Sequence, residues 1–209
     1  MIDWTCGDLP PWLNVSRETS QKLEHLVGFV EKWNPAINLV ATGSLPVAWH
    51  RHVLDSAQLF ALAPPDSKKW VDLGSGAGFP GLVIAIIAAE SNPSLAVTLV
   101  EADKRKAAFL TQTARELGVA VRVLPQRAEE VLPLSADVLS ARALARLTKL
   151  CPIIHLHAAP NGVALLLKGA QTEQELAEAA GAWRFDVQTV LSKTDPSGRI
   201  VLIKNIRHA

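Results

Sequence analysis

The sequence predicts an α/β fold: a mostly parallel, seven-stranded sheet covered by helices on both faces, closed by an antiparallel terminal hairpin and preceded by a small helical element. Three observations predict it. From Lys69 onward, short apolar runs alternate with segments of helical period, the pattern of parallel strands joined by crossover helices. The last two apolar runs, near 185–191 and 199–204, are separated only by Ser192–Gly198. That spacer is too short for a crossover helix, so the two runs pair antiparallel. Between the first strand and its helix lies Asp72-Leu73-Gly74-Ser75-Gly76-Ala77-Gly78-Phe79-Pro80-Gly81. Its alternate glycines lack Cβ and tolerate positive φ, which lets the backbone approach a ligand closely.

Taken in order, residues 16–33 read as a helix capped by Ser16, with Leu23, Leu26, Val27, Val30 and Trp33 at helical spacing and Asn34-Pro35 as its end. Residues 46–62 read as a second helix, and Pro64-Pro65-Asp66-Ser67 marks a boundary. The domain reading is therefore 1–64 for the helical element and 65–209 for the α/β domain. Strands follow at Trp70–Leu73, Ala96–Glu101, Val119–Leu124, Asp137–Ser140 and Val163–Leu167. Helices are expected at Pro80–Ala89, Lys104–Leu117 (closed by Gly118), Leu147–Ala158 and Thr172–Ala180.

Composition narrows the setting. The 209 residues suffice for a real core, and 49% are apolar and 20% charged, an ordinary globular balance. Cys6 and Cys151 form neither a disulfide framework nor a zinc motif, which points to a reducing compartment. The start, Met1-Ile2-Asp3-Trp4, lacks the basic and apolar regions of a signal peptide, and the apolar run Leu82–Ala89 is too short to span a bilayer. A cytoplasmic protein without membrane contact is expected. His50 and His52 stand two apart, off a common helical face, so no metal site is expected. The net charge of +1 leaves nucleic acid open, and basic knots occur at His50-Arg51-His52, Lys104-Arg105-Lys106 and Arg142 to Lys149. Each alone reads equally as a solvated helix face.

Two cofactors fit the glycine turn. Gly76-x-Gly78-x-x-Gly81, with Glu101 twenty residues on, satisfies a dinucleotide fingerprint. The alternative is an S-adenosylmethionine site, and three features favour it. Asp72 directly before the turn suits an ammonium and would repel a pyrophosphate. Pro80 near the helix start removes an amide that a diphosphate would use. The antiparallel terminal hairpin suits a methyltransferase sheet. Gly74, Ser75, Gly76 and Gly78 then form the cofactor turn, and Glu101, at a strand end, takes the ribose hydroxyls. As the bland alternative, Glu101 pairs at the surface with Lys104 or Arg105. After the third strand, Ala128 and Glu129 either meet the adenine edge or only complement a helix dipole.

The motifs Trp33-Asn34-x-x-x-Asn38-Leu39, Arg51-His52-x-Leu54-Asp55-Ser56, Phe79-Pro80-Gly81, Lys104-Arg105-Lys106-x-x-Phe109-Leu110, Arg127-Ala128-Glu129, Ser140-Ala141-Arg142-Ala143, Leu167-Lys168-Gly169 and Gly198-Arg199-Ile200-Val201-x-Ile203-Lys204 carry a resemblance. In order and spacing the chain resembles the RsmG (GidB) family of 16S ribosomal RNA guanine-N7 methyltransferases, from about residue 24 to 207. The resemblance implies a class I, Rossmann-like methyltransferase fold and S-adenosyl-L-methionine as cofactor. It implies 16S ribosomal RNA or a small-subunit particle as partner. It adds Phe79 to the cofactor turn and sets Ala128-Glu129 at adenine. It also stands Arg142 at the mouth where cofactor and base meet. Glu101 departs from an Asp seen in relatives, with the carboxylate kept.

Guanine N7 has a lone pair and no proton, so its methylation needs no general base. The sequence agrees: Ser140-Ala141-Arg142-Ala143 stands where amino methyltransferases carry Asn-Pro-Pro-aromatic or Asp-Pro-Pro-aromatic. Catalysis is then positioning, with Arg142 on the cofactor carboxylate, an RNA phosphate or guanine O6. RNA contact is expected from Arg51, His52, Arg146, Lys149, Lys168 and Arg199. The competing readings are a small-molecule methyltransferase, a nicotinamide oxidoreductase and a non-catalytic RNA-binding module.

Overall fold

The structure, a computed structural model, describes residues 6–209, so the reading of Met1–Trp4 lies outside the described residues. Seven strands form one sheet in the order β3-β2-β1-β4-β5-β7-β6. They are β1 Lys69–Leu73, β2 Ala96–Val100, β3 Val121–Leu124, β4 Ala136–Arg142, β5 Ala158–Lys168, β6 Trp183–Leu191 and β7 Arg199–His208. The first five run parallel, whereas β7 is antiparallel to both β5 and β6. The expected hairpin therefore forms, with its second strand inserted against β5 and its first strand left at the edge.

Helices cover both faces. On one side α1 (Arg17–Ile37), α3 (Gly81–Ser91) and α4 (Lys104–Glu116) share a core with Trp70, Leu99, Val138 and Leu165. On the other, α5 (Leu147–His157) and α6 (Thr172–Ala179) pack over Val71, Leu73, Leu139 and Leu166. Every residue of α3 from Gly81 to Ala88 is buried. It lies between the sheet and the N-terminal helices, which explains a helix apolar on all sides. The N-terminal segment thus shares its core with one face of the sheet.

Two expectations in that segment are corrected. The first helix does not stop at Asn34-Pro35; α1 continues through Pro35 to Ile37 and ends on Asn38 in the left-handed region, φ 50°. Buried Asn34 makes this possible, its Oδ1 accepting the Val40 amide at 2.8 Å, while Trp33 and Ile37 pack on the core. At the other end Ser16 caps the helix, and Glu90 of α3 accepts from the Ser16 amide and from the Ser16 and Thr19 hydroxyls. Residues 46–62 are not one helix. The chain passes through a 3₁₀ stretch Thr42–Val47, a π-helical stretch Trp49–Leu54, the short α2 (Asp55–Ala57) and a 3₁₀ turn Phe60–Leu62. The wider π turn lets Trp49, His52, Val53 and Leu54 all be buried, and the Ser56 hydroxyl donates to the His52 carbonyl at 2.5 Å.

Candidate active site

A cleft of about 500 Å³ opens at the C-terminal ends of β1, β2 and β4, where the strand order reverses. Gly74 and Gly76 form part of its wall, joined by Glu101, Ala128, Glu129 and Arg142. Gly74, Gly76 and Gly78 all have positive φ (67°, 54° and 90°), which an L side chain adopts only under strain. The turn so formed directs the Gly76 amide at Glu101 Oε2, 2.8 Å away. Glu101 Oε1 accepts the Asp103 amide at 2.8 Å. Each carboxylate oxygen therefore uses one acceptor position on the protein and keeps another.

Asp72 is placed elsewhere than an ammonium-binding role requires. It does not line the cleft and is fully buried beneath the turn. Ser140 Oγ donates to its Oδ1 at 2.6 Å, and the Gly81 amide to its Oδ2 at 3.1 Å. Trp70 Nε1 donates in turn to Ser140 Oγ at 2.9 Å. Burial pushes the Asp72 pKa up to about 6, against the hydrogen bonds from Ser140, Ser75 and Gly81 and the charge of Arg142. Gly81 is glycine for want of room: a Cβ there would stand 2.3 Å from Leu99 and 2.7 Å from Asp72 Oδ2. Ser75, Gly78 and Phe79 also lie behind the turn and not on the cleft wall.

Arg142 ends β4 at the mouth. Its Nη1 donates to the Arg51 carbonyl at 3.2 Å and to His52 Nδ1 at 2.6 Å, and its guanidinium lies 5.3 Å from the Phe79 ring centre. His52 stacks on Phe79 at 5.1 Å and meets Ser44 Oγ through Nε2 at 2.9 Å. Burial, with Arg142 and Arg51 beside it, pushes the His52 pKa down to about 3. Burial lowers Arg142 as well, opposed by the charges of Asp55 and Asp72. Asp55 itself accepts from Thr194 and Gln58 at 2.8 Å each, which ties this segment to the β6–β7 turn.

The six residues expected at RNA are not equivalent. Arg51 and Lys149 are exposed, and Lys149 lines the cleft. His52 is buried at 6% exposure, so it presents no surface. Lys168 is held inside by Glu175 and the Ala145 carbonyl, both at 2.7 Å. Arg146 pairs with Glu178 at 3.1 Å, and Arg199 folds onto the Pro196 and Gly198 carbonyls. Lys106 and Gln126 line the cleft without having been singled out, although Lys106 lay in a recognised basic knot. His157 was missed too. It is buried on α5 and donates through Nε2 to the Ala128 carbonyl at 2.8 Å, steadying the stretch expected at adenine. Among the described residues no cluster of three metal-ligating side chains occurs, and no helix is long and apolar enough to cross a membrane.

The architecture is shared with known proteins. A family model described as rRNA small subunit methyltransferase G matches residues 19–201. A Cereibacter sphaeroides (strain ATCC 17029 / ATH 2.4.9) protein named Ribosomal RNA small subunit methyltransferase G is 48% identical over 196 residues, 94% of this chain and 95% of that one. A protein of the same name from Ruegeria pomeroyi is 48% identical over 194 residues, covering 93% and 95%. A SAM-dependent methyltransferase from Aquifex aeolicus superposes with a TM-score of 0.57 at 15% identity, over 76% of this chain and 92% of that one. M. jannaschii TYW2 in complex with AdoMet superposes with a TM-score of 0.56 at 13% identity, over 76% of each chain. At such identities the last two similarities speak to the fold.

Proposed function

Because the chain belongs to the small-subunit ribosomal RNA methyltransferase G family, we propose that it methylates N7 of one guanine in 16S ribosomal RNA, using S-adenosylmethionine and no general base. The observation that carries this reading is the arrangement of the cleft. The glycine turn and Glu101 stand on one side and Arg142 on the other, and the imidazole that touches Arg142 is already engaged through its lone pair.

The residues present fit the cofactor. Glu101 retains one acceptor position on each oxygen for a ribose diol, and the glycines keep side chains out of the space beside it. Ala128 and Glu129 border the same cleft and suit an adenine edge. Asp72 supports the turn from below. Bound S-adenosylmethionine supplies an electrophilic methyl group on a sulfonium.

On the acceptor side, guanine N7 presents a lone pair in the ring plane, so the protein has no proton to remove. Its task is alignment. The methylated ring gains positive charge, and a guanidinium pressed on N7 would oppose that. Arg142 therefore addresses a cofactor carboxylate, an RNA phosphate or guanine O6 through Nε and Nη2, which no hydrogen bond among the described residues engages, Nη1 being held by Arg51 and His52. Arg51, Lys149 and Lys106 supply cationic contacts around the mouth. A ribosomal RNA substrate sets this work in the cytoplasm.

The test is transfer of a tritiated methyl group to 16S RNA from cells lacking its modifications, offered naked and as small-subunit particles. The expected result is label on a single guanine, at a site where N7-specific chain cleavage falls, with a rate flat across neutral pH. Label on an exocyclic nitrogen, or a steep rise in rate reporting one essential base, would overturn the reading.

A further inference from the structure

His52 touches three parts of the molecule at once: the π-helical stretch that carries it, the glycine turn through Phe79, and the end of β4 through Arg142. Its tautomer follows from its partners. A guanidinium has donors and no acceptor, so at 2.6 Å from Arg142 Nη1 the Nδ1 atom must offer its lone pair. Ser44 Oγ gives its own hydrogen to the Ala41 carbonyl at 2.7 Å, so it accepts from His52 Nε2 at 2.9 Å. The ring is thus neutral, with the proton on Nε2. The Arg51 carbonyl accepts a second bond from the same Nη1, which orients the guanidinium about its long axis.

We infer that His52 is a positioning residue for methyl transfer: as the Nε2–H tautomer it accepts from Arg142 and fixes which edge of the guanidinium faces the cleft. The inference rests on the reading of Arg142 as the group at the cleft mouth. It assigns His52 a role other than RNA contact. It also links the exposed Arg51, through its carbonyl and its neighbour's ring, to the geometry of Arg142. Protonation of His52 would set an imidazolium against that guanidinium. The charged groups around the ring are Arg51 on its own segment and Arg142 on β4, with Asp55 and Asp72 acting on Arg142; both direct neighbours are cations.

The wild-type protein supplies the first test. Long-range proton–nitrogen correlation spectra of histidine-labelled protein should show His52 with Nε2 protonated and Nδ1 bare, unchanged from about pH 5 to about pH 8, where a free imidazole titrates. A proton on Nδ1, or titration within that window, would overturn the inference. Two substitutions give the second test. In His52→Asn the amide oxygen stands where Nδ1 was, whereas in His52→Gln the amide reaches only the Nε2 position.

His52→Asn should therefore keep kcat close to wild type. His52→Gln should lower it by about tenfold to a hundredfold, the worth of a hydrogen bond to a charged group. Adding His52→Gln to Arg142→Ala should cost little more, because His52 then has no guanidinium left to position. Equal loss in the two His52 variants, or multiplicative loss in the double variant, would show that His52 only packs. A wild-type protein inactive on small-subunit RNA would instead remove the proposed function, and an Arg142→Ala variant with full activity would remove the role of Arg142. The spectrum decides the tautomer even where a variant fails to fold.

Discussion

Asp72 and Glu101 are both acids at the ends of neighbouring strands, and the fold gives them opposite work. Glu101 borders the cleft with acceptor capacity in reserve, as its strand-end position led one to expect. Asp72 was legible as special, but its direction was not. Strand alternation does not say that Ser140 and the Gly81 amide will converge on the carboxylate from two other elements. The consequence is measurable. Burial raises the Asp72 pKa from 3.8 in an ordinary aspartate to about 6. Between those values the folded protein keeps a proton that the unfolded chain has released. The group's stabilising term is thus fully present below the lower value and lost as pH rises through the higher one. Asp72→Asn lacks this titration. In urea unfolding, the stability difference should move in favour of Asp72→Asn as pH rises from 3.8 to about 6, then stay level. A difference independent of pH would mean that Asp72 ionises as an exposed aspartate does.

At the scale of elements, periodicity located the sheet and its crossover helices within a few residues and misjudged the segment from 34 to 62. Helical spacing reports which residues want to be inside. It does not report whether 3₁₀, α or π geometry delivers them, because neighbouring helices decide that. The connection from β4 to α5 shows the same limit. Ala143 there has φ 51°, and Leu144 packs directly on Gly74, so the connection shapes the cleft. Lys168 on β5 and Glu175 on α6 hold it: Lys168 Nζ donates to the Ala145 carbonyl, and Glu175 Oε2 accepts the Leu147 amide at 2.9 Å. With side chains only 10% and 12% exposed, this is a nearly buried pair. Removing one partner leaves the other uncompensated, so Lys168→Met should destabilise the fold by about 3 kcal/mol, and Lys168→Met with Glu175→Leu should recover part of that. Methyl transfer should fall in Glu175→Gln as it does in Lys168→Met. If Lys168 instead contacted RNA, neutralising Glu175 would leave transfer intact or improve it.

For the molecule as a whole, the parallel sheet with its antiparallel hairpin and the place of the cleft could be read from alternation and the glycine turn, whereas the order of the strands and the surface available to RNA could not. A run such as Arg142 to Lys149 looks uniformly basic in sequence, yet folding ties Arg142 to His52 and Arg146 to Glu178, and leaves Lys149 exposed at the rim. Charges find partners across elements far apart in the chain, and periodicity carries no information about them. A net charge of +1 with few uncommitted cations at the mouth implies modest electrostatic binding. Each phosphate neutralised contributes about −0.7 to −0.9 to the slope of log affinity against log salt. Arg51→Ala and Lys149→Ala should each weaken RNA binding and make that slope shallower by about one. Arg199→Ala should leave the slope unchanged, because its guanidinium is bound to its own turn at Pro196 and Gly198. Filter binding of a 16S RNA fragment across a salt series reads all three. A slope that changes with Arg199 and not with Arg51 would move the RNA from the mouth of the cleft toward the β6–β7 turn, and with it the path by which a guanine reaches Arg142.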